Sequence, residues 1–290
     1  MTADSANPVF DAMGDPVRLP SGYAPHRHGR GQDAGADAVQ AALAAVGEAA
    51  AGFPAWSVLA PTERRARLMR AAEMLEKRLS EFAAVMAEET GATAGWARFN
   101  VELGAAMLRE AAAMTTQITG SVIPSDRPGA TALALRQPVG VVLGIAPWNA
   151  PVVLAARAVA MALACGNTVV LKASEITPNV HELLSRTLND AGIDNGALTL
   201  VTNPPADAAR VVEALIGHPA IRRVNFTGST RIGRLVAEVA ARHLKPVLLE
   251  LGGKAPLLVL DDADLDEAVK AASFSAFMNQ GQICMSTERM

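Results

Sequence analysis

From Gly140 onward, short apolar runs alternate with longer amphipathic stretches. Val141–Ile145, Thr168–Lys172, Ala197–Val201, Ile221–Phe226 and Pro246–Leu251 have the length and aliphatic content of buried strands. The intervening stretches Val152–Ala164, Thr177–Ala191, Ala206–Ile216 and Ser229–Arg242 space their apolar residues as helices do. That alternation predicts right-handed βαβ units and a parallel sheet. A further strand over Pro256–Leu260 and a helix over Leu265–Met278 are expected after it.

Upstream the pattern is helical. Ala36–Phe53 is an Ala-rich helix. Pro61-Thr62-Glu63 opens a long amphipathic helix to about Glu89, with Gly91 as its stop. Its arginines Arg64, Arg65, Arg67 and Arg70 are expected on a solvated or subunit-facing surface, with anion binding as the alternative. A third helix is predicted over Trp96–Thr119. Residues 120–138 then change character: Pro124, Pro128 and Gly129 precede an alternation of Thr131, Leu133 and Leu135. This is a hairpin signal, read as a projecting arm for oligomerisation.

The first 35 residues are rich in Gly, Pro, His and Asp and predict an irregular arm. They lack the basic start and apolar run of a signal peptide. No apolar stretch reaches the length of a membrane span on this reading. The 290 residues are half hydrophobic, enough for a sizeable core, and only 4% aromatic. With 26 basic against 29 acidic residues, no basic excess points to nucleic acid. Two cysteines are too few for a disulfide framework, so a reducing, cytoplasmic setting is expected. The five histidines show no metal-ligand spacing, and no metal site is expected.

Chemistry-bearing residues cluster just after strands, where parallel sheets bind ligands. Pro147-Trp148-Asn149 follows Ile145 and Ala146. Asn149 can donate to an oxyanion or cap the next helix. Lys172, Ser174 and Glu175 close the second strand. The lysine and glutamate can reach ribose hydroxyls, which favours NAD over NADP, or form a loop salt bridge. Thr227-Gly228-Ser229, with Ile232 and Gly233 in the next turn, offers a phosphate cradle at a helix N-terminus. A plain serine cap after a tight turn is the alternative. Glu250-Leu251-Gly252-Gly253-Lys254 places a carboxylate at a strand end. Gly281-Gln282-Ile283-Cys284 places a thiol in a polar stretch. Thiol and carboxylate together suit nucleophilic attack on a carbonyl followed by delivery of water. Cys165, among apolar neighbours, is read as buried filler at a helix end.

In order and separation, these five motifs resemble the NAD(P)-dependent aldehyde dehydrogenase superfamily over residues 36–290. Gly140–Pro151 and Phe277–Arg289 look most like its aromatic aldehyde branch, which includes salicylaldehyde, vanillin and benzaldehyde dehydrogenases. The resemblance implies that Cys284 is the nucleophile, Asn149 the oxyanion donor and Glu250 the base for hydrolysis. It implies that Lys172 and Glu175 contact the adenosine ribose, with Ser174 also at the cofactor. Gly228 and Ser229 would then cradle the pyrophosphate, Ile232 would make the apolar contact on that first turn, and Thr227 and Gly233 would also contact the cofactor. Ile145, Ala146, Pro147 and Trp148, with Leu251 and Gly252, would line the cofactor.

The implied fold is α/β: a Rossmann-like parallel sheet with flanking helices, a projecting hairpin and the start of a second α/β catalytic domain. The implied division is an arm at 1–35, a dinucleotide-binding domain at 36–119 and 139–254, the hairpin at 120–138, and a truncated catalytic domain at 255–290. The implied activity is oxidation of an aldehyde, aromatic by branch, to its acid through a thiohemiacetal and a thioester. NAD is the expected cofactor and NADP the alternative. A small aldehyde and a homodimeric or homotetrameric partner are expected, without nucleic acid or membrane. Hydrolysis of activated esters without cofactor is an expected side reaction. Two departures stand out. Thr202-Asn203-Pro204-Pro205 replaces a glycine-rich turn, and the family continues well past Met290. The second departure keeps an alternative open: a truncated nucleotide-binding fragment without turnover.

Overall fold

The computed structural model describes residues 34–290. The expected arm, with His26 and His28, lies almost wholly outside the described residues. Helices α1 (Ala34–Ser57), α2 (Pro61–Lys77), α3 (Leu79–Thr90) and α4 (Ala94–Met114) come first. Strands β1 (Ser121–Ile123) and β2 (Ala132–Ala134) form the antiparallel hairpin. Val122, Leu133 and Leu135 are exposed on it.

The alternating segment follows: β3 (Val141–Ile145), α5 (Pro151–Ala164), β4 (Thr168–Lys172), α6 (Pro178–Asp190) and β5 (Leu198–Val201). Then come α7 (Ala208–Gly217), β6 (Ile221–Gly228), α8 (Thr230–Arg242) and β7 (Val247–Leu251). The five strands pair in parallel in the order β5-β4-β3-β6-β7. The chain winds outward from β3 to β5 and then returns to the other side of β3. The switch point therefore lies between β3 and β6, where parallel sheets open a crevice for ligands.

Two cores sandwich the sheet. Val142, Ala146, Val169 and Leu171 pack under α5 and α6 with α2 and α4 outside them. Val141, Leu143, Ile145, Val170 and Phe226 pack on the opposite face against α1, α7 and α8. Strand alternation thus assigns every strand residue to one face or the other.

Several expectations need correction. The long second helix breaks at Arg78, whose guanidinium donates to Thr187 (3.0 Å) and Asp190 (2.6 Å) at the end of α6. Gly91, at φ +68°, does terminate α3. Helix α4 stops at Met114, five residues early. The Thr115 hydroxyl donates to the Ala112 carbonyl at 2.8 Å, an alternative to continuing the helix.

The arginine patch is not simply a solvated surface. Arg64 is buried and donates through Nε to the Ala164 carbonyl at 3.0 Å, and it also bonds the Leu59 carbonyl. Arg67 and Arg70 donate to the carbonyls of Gly192 and Ala191. These side chains satisfy carbonyls left open at the ends of α5 and α6. Cys165, the last-turn cap of α5, is half-buried rather than buried, and burial raises its thiol pKa.

One apolar stretch does reach spanning length: Ala38–Ser57 is long and apolar enough to cross a membrane by length and composition. In this fold one stripe of it packs on the sheet. Ala42, Val46 and Ala49 are fully buried against the sheet. Hydroxyls of Thr168 and Thr199 donate to the carbonyls of Ala49 (2.8 Å) and Ala45 (3.2 Å).

After β7 come β8 (Ala255–Pro256), α9 (Leu265–Phe277), a 3-10 turn (Met278–Gly281) and β9 (Thr287–Arg289). Strand β8 is shorter than expected because β9 gives it a partner only over Ala255 and Pro256. Leu258 and Leu260 beyond it are 80% and 68% exposed. Helix α9 is exposed along its apolar positions too, with Phe274 at 65% and Phe277 at 75%.

Candidate active site

Asn149 does not cap α5; Ala150 occupies that position without a side-chain bond. The Asn149 side chain instead donates from Nδ2 to the carbonyl of Gln282 at 2.8 Å. Its own carbonyl accepts from Trp96 Nε1 (3.0 Å) and Asn279 Nδ2 (3.2 Å). The turn after β3 is thus tied to the loop that carries Cys284.

That loop is bent by three successive left-handed residues, Asn279 (φ 48°), Gln280 (φ 55°) and Gly281 (φ 74°). Only the last is glycine, so the first two hold strained backbone just ahead of an exposed Cys284. Downstream, β9 lies parallel to β8, with Ala255 beside Thr287. Lys254 pairs with Glu288, and Arg289 donates twice to the Lys254 carbonyl (3.2 and 3.0 Å). These bonds hold the Glu250–Lys254 motif beside the Cys284 segment, although 30-odd residues separate them in sequence.

Glu250 is the register partner of Thr227 on β6. Alternation places it with Thr227, Asn225 and Leu248 on the face that α5 covers further along the sheet. Its carboxylate is exposed and has no partner among the described residues. Leu251, next in chain, looks to the other face: a Cβ added at Gly233 would meet its Cδ2 at 2.6 Å. Gly233 therefore lets the first turn of α8 press onto β7. Gly252 meets nothing within 4 Å.

The remaining residues lie mainly over the α8 face. Lys172 is buried and bonds Glu175. Burial pulls the ammonium below its ordinary pKa, and the charge of Glu175 offsets part of this. Burial pushes Glu175 up, but the charge and hydrogen bond of Lys172 outweigh it and hold the carboxyl low. Asn203 donates to Glu175 at 3.2 Å, so the Pro-containing turn after β5 reaches this pair. Asn203 Oδ1 is buried with no acceptor role filled.

Ser174 is turned inward, its hydroxyl accepting from the Ile176 amide. Ser229 caps α8 by accepting from the Ile232 N–H at 3.3 Å. The Thr230 and Arg231 amides, at the start of α8, have no intrahelical acceptors to reach. Ile145 and Ala146 are buried at the switch point, with Pro147 and Trp148 half-buried beyond.

Sequence reasoning places Cys284, Asn149 and Glu250 together and treats every motif as one cluster. The structure divides them: the Cys284 loop, the Asn149 amide and Glu250 lie toward one side of the sheet, the Lys172 and Ser229 groups toward the other, and Ile145–Trp148 runs between.

Three contributors escaped the sequence. Trp96 and Phe99 stack with centroids 5.1 Å apart beside the Asn149 carbonyl. Their i, i+3 spacing on a helix was the available signal. His181 is wholly buried: Nδ1 accepts from the Ser174 amide (3.0 Å), and Nε2 donates to the Pro151 carbonyl (3.2 Å). It fixes the Lys172–Glu175 loop against the start of α5, and nothing local in sequence announces that.

The aldehyde dehydrogenase family model matches residues 23–290. The chain belongs to the aldehyde dehydrogenase family. It is 67% identical over 247 residues to a vanillin dehydrogenase of Pseudomonas fluorescens, covering 85% of this chain and 51% of that protein. It is similar to the crystal structure of a salicylaldehyde dehydrogenase from Pseudomonas putida G7 complexed with salicylaldehyde. The TM-score is 0.84 at 50% identity, covering 86% of this chain and 51% of that one. A NAD-dependent benzaldehyde dehydrogenase from Corynebacterium glutamicum superposes with a TM-score of 0.81 at 36% identity, covering 86% and 53%. The chain spans about half the length of the relatives it matches.

Proposed function

We propose that this chain carries the nucleophile and cofactor half of an NAD-dependent aldehyde dehydrogenase acting on an aromatic aldehyde. The observation that carries the reading is the bond from Asn149 Nδ2 to the loop of Cys284, with Glu250 on the same side of the sheet. The Cys284 sulfur attacks the aldehyde carbon and forms a thiohemiacetal. The developing oxyanion takes the Asn149 amide, which leaves the Gln282 carbonyl, together with the Cys284 backbone N–H. A bound nicotinamide dinucleotide would supply the hydride acceptor for oxidation of this adduct to the thioester on Cys284. Glu250 then removes a proton from water as it attacks the thioester. The acid leaves, and Cys284 is free again.

The residues present fit such a cofactor. The orphaned Asn203 Oδ1 beside Glu175 needs a donor, which ribose or adenine provides. The open amides at the start of α8 suit a pyrophosphate. Glu175, held ionised by Lys172, accepts from a 2′-hydroxyl and repels a 2′-phosphate, so NAD is preferred over NADP.

The stacked Trp96–Phe99 pair, with Phe99 38% exposed, supports an aromatic ring as substrate. The names of the relatives support the same choice. The exposed hairpin β1–β2 supports a role in a dimer or tetramer, and two free cysteines support a reducing compartment.

The test is Cys284→Ala with an aromatic aldehyde and NAD. Formation of NADH should cease while NAD binding persists. Retained turnover would sink the assignment.

A further inference from the structure

A cavity of about 450 Å³ opens on the same face of the sheet as Glu250. Leu248 lines it and precedes Glu250 by two residues on β7. Its register partner Asn225 lines it too, next to the Thr227–Glu250 pair. Leu248 precedes Glu250 by one pleat repeat, about 6.6 Å of backbone, so the cavity lies toward the amino ends of the strands from Glu250.

Three guanidinium groups border this space: Arg136 after the hairpin, Arg157 on α5 and Arg223 on β6. Among the described residues none of the three has an ion-pair or hydrogen-bond partner. No carboxylate occurs among the described residues lining the cavity. Elsewhere the fold pairs arginines readily, as Arg78 with Asp190 and Arg109 with Glu76 show. Arg157 stands out further, because it is half-buried on a helix whose neighbours are nearly all buried and apolar.

Three like charges bordering one space, with Arg157 half-buried and Arg136 and Arg223 exposed, repel one another unless an anion joins them. The floor, made of Val142, Ala158, Met161 and Leu248, is apolar and suits a ring. Paired arginines over an apolar floor match a planar carboxylate on an aromatic body.

We propose that this cavity is a subsite for an aromatic carboxylate, the acid released at Cys284. The proposal rests on the functional reading above for the identity of that acid. The aldehyde is uncharged at its reacting group and the product is an anion, so the arginines distinguish the two. Binding here retains the acid after it has left Cys284 and makes it a product inhibitor.

The experiment is calorimetric titration of benzoate into the 290-residue chain at low salt. Benzamide serves as the neutral isostere. Benzoate is expected to bind at least ~tenfold more tightly than benzamide, since only it forms charge-assisted pairs. Arg157→Met and the exposed Arg223→Met should each weaken benzoate about tenfold and leave benzamide within about twofold. Arg223→Lys should recover part of the loss. Equal affinity for the two ligands overturns the proposal, as does benzoate binding that ignores both arginine variants. Sulfate binding as tightly as benzoate overturns the aromatic-acid assignment. Repeating the titration on Cys284→Ala keeps the readings apart, because it needs no turnover: benzoate binding survives there even if the oxidation reading fails.

Discussion

Asn149 Nδ2 and the Gln282 carbonyl are 2.8 Å apart across 133 residues of chain. The bond anchors the amide two residues from Cys284, and in the proposed mechanism that amide turns to the oxyanion. Asn149→Ala removes both the tether and the donor. Turnover with an aromatic aldehyde is expected to fall by roughly 10²–10³-fold, the effect of losing one oxyanion donor. KM should change little, because the donor acts on charge that develops after binding. Steady-state NADH formation checks this; a loss confined to KM would place Asn149 in substrate binding.

Lys172 and Glu175 differ in what each leaves behind. Lys172 is 5% exposed at its side chain and Glu175 23%. Glu175→Gln strands a buried ammonium, so stability should drop by about 3 kcal/mol. Lys172→Met leaves a more exposed carboxylate still held by Asn203, and the loss should be smaller. Urea melts of both variants decide the order. Glu175→Gln should also narrow the preference for NAD over NADP, measured by titration with each.

Much of this was legible in the sequence. The five sheet strands were readable because each is a short apolar run bounded by turn residues, and β3 and β4 begin and end where the pattern says. That the segments of Asn149, Glu250 and Cys284 follow or end strands was readable too, and the fold ties the Asn149 turn to the Cys284 loop. The division of the site was not legible. Which side of the sheet each group faces depends on strand register, and register is set by partners far off in sequence. The arginines of α2 misled for the same reason. Their spacing describes a polar helix face, but Ala164, Ala191 and Gly192 lie 100 to 125 residues away.

Arg64 provides a stability test of that correction. Arg64→Met leaves the carbonyls of Ala164 and Leu59 without their donor in a buried setting. The expected cost is about 2–3 kcal/mol. Its neighbour Arg65 has no such partner among the described residues, and Arg65→Ala should stay within about 0.5 kcal/mol. Thermal melts of the pair separate a buried cap from a surface charge.

His181 should make stability depend on pH. Burial is the main cause that lowers its pKa from 6.5 to about 4; its bond to the Pro151 carbonyl opposes this. The unfolded chain therefore binds the extra proton first as pH falls. Stability is fully present above about pH 6.5 and is lost progressively toward pH 4, by roughly 3 kcal/mol in all. His181→Phe should flatten the curve over that window while lowering stability at neutral pH. Denaturant midpoints between pH 4 and 7 show either result.

The loop ahead of Cys284 keeps Asn279 and Gln280 in left-handed backbone, and only one of the two has a visible reason. Asn279 donates to the Asn149 carbonyl at 3.2 Å, so its side chain helps hold the turn it strains to reach. For Gln280 no side-chain hydrogen bond occurs among the described residues. Gln280→Gly removes the steric cost and should stabilise the protein slightly, by up to about 1 kcal/mol, with chain entropy offsetting part. Gln280→Val puts a branched Cβ into the same conformation and should cost about 1–3 kcal/mol. Asn279→Gly relieves strain but cuts the tie to Asn149, so its effect should appear at Cys284. Alkylation of the thiol by iodoacetamide should change in Asn279→Gly and stay near the parent rate in Gln280→Gly. Equal rates in all three proteins would mean that the loop geometry is held by the Asn149–Gln282 bond alone.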